Sequence, residues 1–184
     1  MRDLTTLARD TALRAHAGQR RKSLRPLPYA IHLHEVADFV ERHGGDEIAV
    51  AAAWLHDSVE DCGLLPEALA RTFGPEVAGV VAELTDDKTL PKLARKAAQV
   101  ASAPRKSARA ALVKLADKAS NAASVGLSPP RDWSHARRHA YLDWAGQVIG
   151  ALPAVPAAPL LEARTLIARS RALVTAEEAL GVGA

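Results

Sequence analysis

The run Ala51-Ala-Ala-Trp-Leu-His56-Asp57-Ser-Val-Glu60-Asp61 ends an apolar stretch in an imidazole and three carboxylates. Residues three and four apart share a helical face, so Asp57 falls beside Glu60 and Asp61, with His56 one turn before Glu60. Carboxylates toward a helix C-terminus oppose its macrodipole, and a bound cation relieves that conflict. An adjacent His-Asp pair offers one nitrogen and one oxygen to a metal, leaving Glu60 and Asp61 to handle protons. Further ligands must come from elsewhere in the chain. His32 and His34 are two apart and point in different directions on a helix, so at most one faces this cluster. Asp117 lies between apolar neighbours in Leu115-Ala-Asp-Lys-Ala119, and a buried acid needs a partner, of which a metal is one. His32, His56, Asp57 and Asp117 together make a mixed nitrogen and oxygen set. It suits Mn, Fe, Zn or a similar divalent ion with positions left for water and substrate.

Helices must position these groups. Leu4, Leu7, Ala8, Ala12 and Leu13 recur near helical spacing and Gly18 follows as a stop. Residues 19–28 carry four cations between Gln19 and Pro28 and are kept from helix by Pro26 and Pro28. The next helix starts at Tyr29, places Val36, Phe39 and Val40 on one face, and breaks at Gly44-Gly45. A third runs from Asp46, its N-cap, unbroken through the opening cluster to Cys62-Gly63. Pro66 and Pro75 begin two more, the second reaching Leu84, and Pro91 begins another that ends near Ser102. Lys92, Arg95 and Lys96 on that helix are either a solvated face or part of an anion site. Ser107 caps a long helix with Leu112, Leu115 and Ala119 on its apolar stripe, and Ser134 caps the helix carrying Arg137, Arg138, Tyr141 and Trp144. Trp133 and Trp144 read as core anchors. The final helix, near Leu160 to Leu180, shows Leu160, Leu161, Leu166, Ile167 and Leu173 as a packing surface. It is either the last layer of the bundle or a face for a homo-oligomer.

The chain has 184 residues, 48% apolar and only 4% aromatic, with Ala supplying much of the apolar share. That composition favours closely packed helices in one domain. A net charge of +3, from 24 cationic and 21 acidic side chains, makes no polyanion-binding surface. Cations interleaved with aromatics, as single-strand binders use, are missing, which disfavours nucleic acid as a partner. Cys62 stands alone, so an intrachain disulfide is excluded and a reducing, cytoplasmic setting fits. No signal-like or membrane-spanning run is present.

In the order H…HD…D, the candidate ligands resemble those of the HD-domain metal-dependent phosphohydrolases. Further motifs resemble one branch, the hydrolase domain of RelA/SpoT proteins, and within it the small stand-alone form of the metazoan SpoT homologue type. They are Arg20-Arg21-Lys22, Pro28-Tyr29 before His32, His56-Asp57-Ser-Val-Glu60-Asp61, Phe73-Gly74, Leu84-Thr-Asp-Asp-Lys88, Arg95-Lys96, Ala103-Pro104, Leu112-Val-Lys-Leu-Ala-Asp117-Lys118 and Asn121. Trp133-Ser134, Arg137, Tyr141 and Trp144 extend the resemblance, which covers residues 5–152.

The resemblance implies an all-α fold, a single HD-domain bundle of roughly eight to ten helices, with core 5–152 and a C-terminal packing helix in 153–184. It implies Mn²⁺, or another divalent ion, on His32, His56, Asp57 and Asp117. Glu60 and Asp61 would activate or position the attacking water. Arg21, Lys22, Lys92, Asn121, Arg137 and Tyr141 would bind the substrate, a guanine-nucleotide alarmone of the stringent response. The implied reaction removes the 3′-diphosphate of ppGpp or pppGpp, giving GDP or GTP and pyrophosphate. Three positions depart from the family: Ile31 and Leu33 stand where it often has Asn and Pro around the first histidine, and Ala123 where it commonly has Arg. These remove polar contacts from the nucleotide pocket. Two alternatives are therefore retained, an HD phosphohydrolase for another nucleotide, such as the 2′-phosphate of NADPH, and a non-catalytic nucleotide sensor.

Overall fold

The computed structural model describes residues 3–153 and 155–181. Position 154 and positions 182–184 of the expected C-terminal segment lie outside the described residues. The chain runs α1 (Leu4–Ala15), α2 (Ala30–Arg42), α3 (Glu47–Leu55), α4 (Ser58–Cys62), α5 (Pro66–Phe73), α6 (Pro75–Leu84) and α7 (Lys92–Ser102). A 3₁₀ turn (Ala103–Arg105) leads to α8 (Ala108–Leu127), α9 (His135–Ala151) and α10 (Ala157–Ala179). The all-α expectation holds; among the described residues the sole β feature is an isolated bridge between Arg20 and Pro28, at the mouth of the basic loop.

The helix starts follow their capping chemistry. The Asp46 carboxylate accepts from Ala49 N at 2.9 Å, and the Ser107 and Ser134 hydroxyls accept from Ala110 N and Arg137 N, each at 3.3 Å. These side chains satisfy amide groups that the first helical turn leaves free. Pro66 and Pro75 occupy first-turn positions, where a missing N–H costs nothing.

Two helices organise the interior. Every residue of α3 from Ala49 to Leu55 is buried, and its run of alanines lets α1, α2, α6 and α8 approach closely. On α8, burial is continuous from Ala110 to Ser120, and this helix meets α2, α3, α6, α9 and α10. Gly126 allows the last of these contacts: a Cβ there would lie 2.8 Å from the Ser170 Cα of α10. Beside it Arg138, on α9, donates through Nε to Val125 O at 3.1 Å and through Nη2 to Gly126 O at 3.2 Å, and it pairs through Nη1 with Glu177 of α10. One buried guanidinium thus satisfies the end of α8 and joins three helices. On α10, Ala163, Ile167, Ser170 and Val174 are buried, which makes it a layer of the bundle, while Leu161 and Leu173 are exposed and leave the expected packing surface.

The expected unbroken third helix is two helices. The chain leaves α3 at Leu55, passes through His56 and Asp57, and re-enters helix at Ser58. Local composition does not force this break. At the break the Tyr29 hydroxyl donates to Asp57 Oδ2 at 2.5 Å. The dipole argument changes sign accordingly, because Glu60 and Asp61 occupy the first turn of α4, not the end of a long helix.

Candidate active site

Three helices converge on the turn between α3 and α4. From α2 comes His32, which is buried, whereas His34 is exposed with its ring edge against Trp54. From α8 comes Asp117. His32 Nε2 lies 3.6 Å from Asp57 Oδ2 and 3.6 Å from Asp117 Oδ1, and His56 Nε2 lies 3.0 Å from Asp57 Oδ2. The ligating atoms of His32, His56 and Asp57 fall within 4.8 Å of one another.

The two imidazoles are prepared to give electron pairs. His56 Nδ1 lies 2.7 Å from Ala53 O; a carbonyl only accepts, so Nδ1 carries the proton and Nε2 the lone pair. Both Nε2 atoms, of His32 and of His56, are buried without a hydrogen-bond partner. A divalent cation between them fits these donors, since it would satisfy both nitrogens and balance two nearby carboxylates.

Opposite charges crowd together in this pocket. Burial alone would lower the His56 imidazole, but Asp57 and then Asp117 outweigh it and lift it to about 9, so a bound cation would take the place of the Nε2 proton and free that lone pair. At His32 burial wins, and the ring is held below its usual value. Burial would raise both carboxyls, yet His56 and His32 keep Asp57 well below the ordinary carboxylate range. Lys118, 3.0 Å away, and Lys114, 4.0 Å away, do the same for Asp117. Asn121 Nδ2 donates to Asp117 Oδ1 at 2.5 Å.

Glu60 and Asp61 stand beside this cluster in different states. Glu60 is partly buried and close to Asp86; burial first, then the Asp86 charge, pushes its carboxyl up. Asp61 is exposed and engaged by Lys88, whose Nζ lies 2.6 Å from Asp61 Oδ1 and 2.5 Å from Glu60 O. The loop between α6 and α7 thereby brackets α4.

A cleft of about 530 Å³ opens next to Asp61. Its lining includes Arg21, Lys22, Tyr29, Asn121, Trp133 and Tyr141. Arg21 donates to Glu35 Oε2 at 2.9 Å and Asn121 Oδ1 at 3.2 Å, which holds the basic loop against α2 and α8. Four of the six expected substrate contacts are thus brought together. Lys92 and Arg137 are exposed and are absent from this lining. Arg137 lies 4.7 Å over the Trp133 ring.

Trp133 is partly buried against the core, but it also forms cleft wall, which corrects its reading as a core anchor alone. Trp144 remains a packing residue, donating to Lys96 O at 3.0 Å with Lys96 and Lys118 over its ring. Sequence reasoning gave Tyr29 no role beyond opening a motif. Its place three residues before His32, one helical turn, was the available signal.

The model of the HD domain matches residues 8–142. The chain belongs to the HD-domain family. Among its relatives, human MESH1, named guanosine-3′,5′-bis(diphosphate) 3′-pyrophosphohydrolase, is 44% identical over 147 residues, which are 79% of this chain and 82% of that protein. The Drosophila melanogaster protein of the same name is 42% identical over 136 residues, 73% of this chain and 76% of its own. A solved structure described as a metazoan ortholog of SpoT that hydrolyzes ppGpp superposes with a TM-score of 0.87 at 36% identity, covering 94% of this chain and 98% of that one. The resemblance to the metazoan SpoT homologue type is therefore shown over most of the HD-domain chain. Among the described residues no helix is long and apolar enough to cross a membrane.

Proposed function

We propose that this protein hydrolyses the 3′-diphosphate of ppGpp or pppGpp to GDP or GTP and pyrophosphate, as its relatives are named for doing. The observation that carries the proposal is the continuity of two regions. Tyr29 lines the cleft with Arg21, Lys22 and Asp61 and donates its hydroxyl to Asp57 of the His/Asp cluster. A phosphorylated ligand gripped by the basic loop would thus have its reacting end at the cluster.

His32, His56, Asp57 and Asp117 would hold a divalent ion, with Mn²⁺ the first candidate. When bound, such an ion supplies Lewis acidity, lowering the pKa of water and offsetting charge on the phosphoryl group. Glu60, raised by burial and Asp86, is suited to take the proton of the attacking water. Asp61, held by Lys88, orients that water. As the water oxygen joins phosphorus, the bond from phosphorus to O3′ breaks, and the 3′ oxygen leaves with the proton that Glu60 took from the water. Arg21 and Lys22 meet the phosphates, Asn121 and Tyr141 the nucleoside, and Lys92 and Arg137 contact substrate from outside the cleft wall. Tyr29, whose hydroxyl burial and then Asp57 keep protonated, fixes the Asp57 carboxylate.

The ten helices are read as one hydrolase domain with core 5–152, followed by the packing helix in 153–184. Cytoplasmic residence accords with the lone Cys62. Incubation of Mn²⁺-reconstituted protein with ppGpp, followed by ion-exchange chromatography, should give GDP and pyrophosphate in equal amounts. Orthophosphate from NADPH with ppGpp left intact would instead establish the 2′-phosphatase reading. Binding of ppGpp without turnover at any metal would make the protein a sensor.

A further inference from the structure

Proton counting around His32 extends the site beyond its ligands. His32 Nδ1 lies 2.8 Å from Ser120 Oγ, and Ser120 Oγ lies 2.6 Å from Glu35 Oε2. A carboxylate accepts only, so the single hydroxyl proton of Ser120 goes to Glu35. Ser120 must then accept from His32, which places the imidazole proton on Nδ1. The lone pair is left on Nε2, the atom that faces Asp57 and Asp117. The same Glu35 oxygen accepts from Arg21 Nη1 at 2.9 Å, and that nitrogen also lies 3.3 Å from Ser120 Oγ.

The components differ in burial in a way that fits this direction of control. His32 is 1% exposed and Ser120 9%, while the Glu35 side chain is 47% exposed. A surface carboxylate on α2 therefore reaches a buried imidazole one turn earlier on the same helix through a hydroxyl on α8. Glu35 and Ser120 both act on the Nδ1 side of the ring, opposite the Nε2 that faces Asp57 and Asp117.

We propose that Glu35 is a positioning residue that sets the tautomer and ring orientation of His32 through Ser120, and that its same oxygen fixes Arg21 in the substrate cleft. One carboxylate thereby aligns the metal donor and the phosphate-binding loop. The assignment rests on the reading of His32 as a metal ligand. Outer groups of this kind restrict a ligating histidine to one productive geometry, and their removal typically weakens metal binding about 10- to 100-fold.

Metal-stripped full-length protein, titrated with Mn²⁺ by isothermal calorimetry, tests it. Ser120→Ala and Glu35→Ala should each weaken Mn²⁺ binding about 10- to 100-fold, and Glu35→Gln, which keeps an acceptor oxygen, should recover most of the loss. At saturating Mn²⁺, Glu35→Ala should also raise KM for ppGpp, because Arg21 loses its carboxylate; Ser120→Ala should raise it less. Unfolding curves of the metal-free variants that coincide with the parent's separate positioning from misfolding, and the exposed Glu35 keeps the test open if Ser120→Ala folds poorly. A parent that binds Mn²⁺ and a Glu35→Ala variant that binds it equally well would overturn the inference alone. A parent that binds no Mn²⁺ would overturn the metal reading and this inference together.

Discussion

Two buried polar clusters flank opposite ends of α8's second half, and they are built on opposite principles. At Arg138 every strong group is answered: Val125 O and Gly126 O accept from the guanidinium, and Glu177 balances its charge. At His32 and His56 two buried imidazole nitrogens are left without hydrogen-bond partners, with Asp57 and Asp117 close by. A buried polar atom left unpaired costs free energy. The first cluster is complete as a piece of architecture, whereas the second is complete only when something occupies it.

Breaking the second cluster's chemistry should produce the largest effect without touching the fold. Glu60→Gln is expected to lower kcat for ppGpp by about 10²- to 10⁴-fold, with urea unfolding close to the parent's. Next comes the first cluster, where the sign of the result reverses. Arg138→Leu strands the Val125 and Gly126 carbonyls and should cost about 2–3 kcal/mol of stability, read by urea unfolding, while kcat per folded molecule is retained.

The seam beside Arg138 should feel steric change somewhat less. Gly126→Ala puts a methyl against the Ser170 backbone, and overpacking of this kind costs about 1–3 kcal/mol; differential scanning calorimetry would measure it. A melting temperature equal to the parent's would show that α10 yields freely. The smallest effect concerns the Glu177 carboxyl, which its bond to Arg138 lowers from the usual 4.5. A depressed carboxyl contributes stability above its unfolded pKa and loses it as pH falls through the folded value. Glu177 is partly exposed, so the contribution is below about 1 kcal/mol. Glu177→Gln should therefore destabilise at pH 7 and converge with the parent below the usual carboxylate range, as followed by thermal melts across pH.

Sequence patterns delivered the elements that depend on local chemistry. Asp46, Ser107 and Ser134 cap where capping rules place them, and Pro66 and Pro75 open helices. His32, His56, Asp57 and Asp117 were legible as a candidate set in order, and the fold brings their side chains close to one another. What sequence could not display were features created by distant contact. The break after Leu55 was hidden because 51–57 reads as continuous helix, and the Tyr29 contact to Asp57 at that point comes from a different element. Arg138 looked like any surface cation on a helix, since nothing in its neighbours announces that the carbonyls of α8 end beside it. Glu35 and Ser120 drew no notice because their meaning lies in a chain of protons between α2 and α8. Lys92 and Arg137 show the converse: the resemblance implies substrate contact for both, and in the fold they stand outside the cleft's lining.

The interruption between α3 and α4 has a consequence of another kind. His56 closes one helix and Glu60 and Asp61 belong to the next, bracketed by Lys88 from a different loop. On the proposed reading, the residues that would hold the ion and those that would handle protons therefore lie on either side of a helix break. A substitution in α4 or in its Lys88 bracket could then change the acidity or reach of the second set while His56 stays buried in the core.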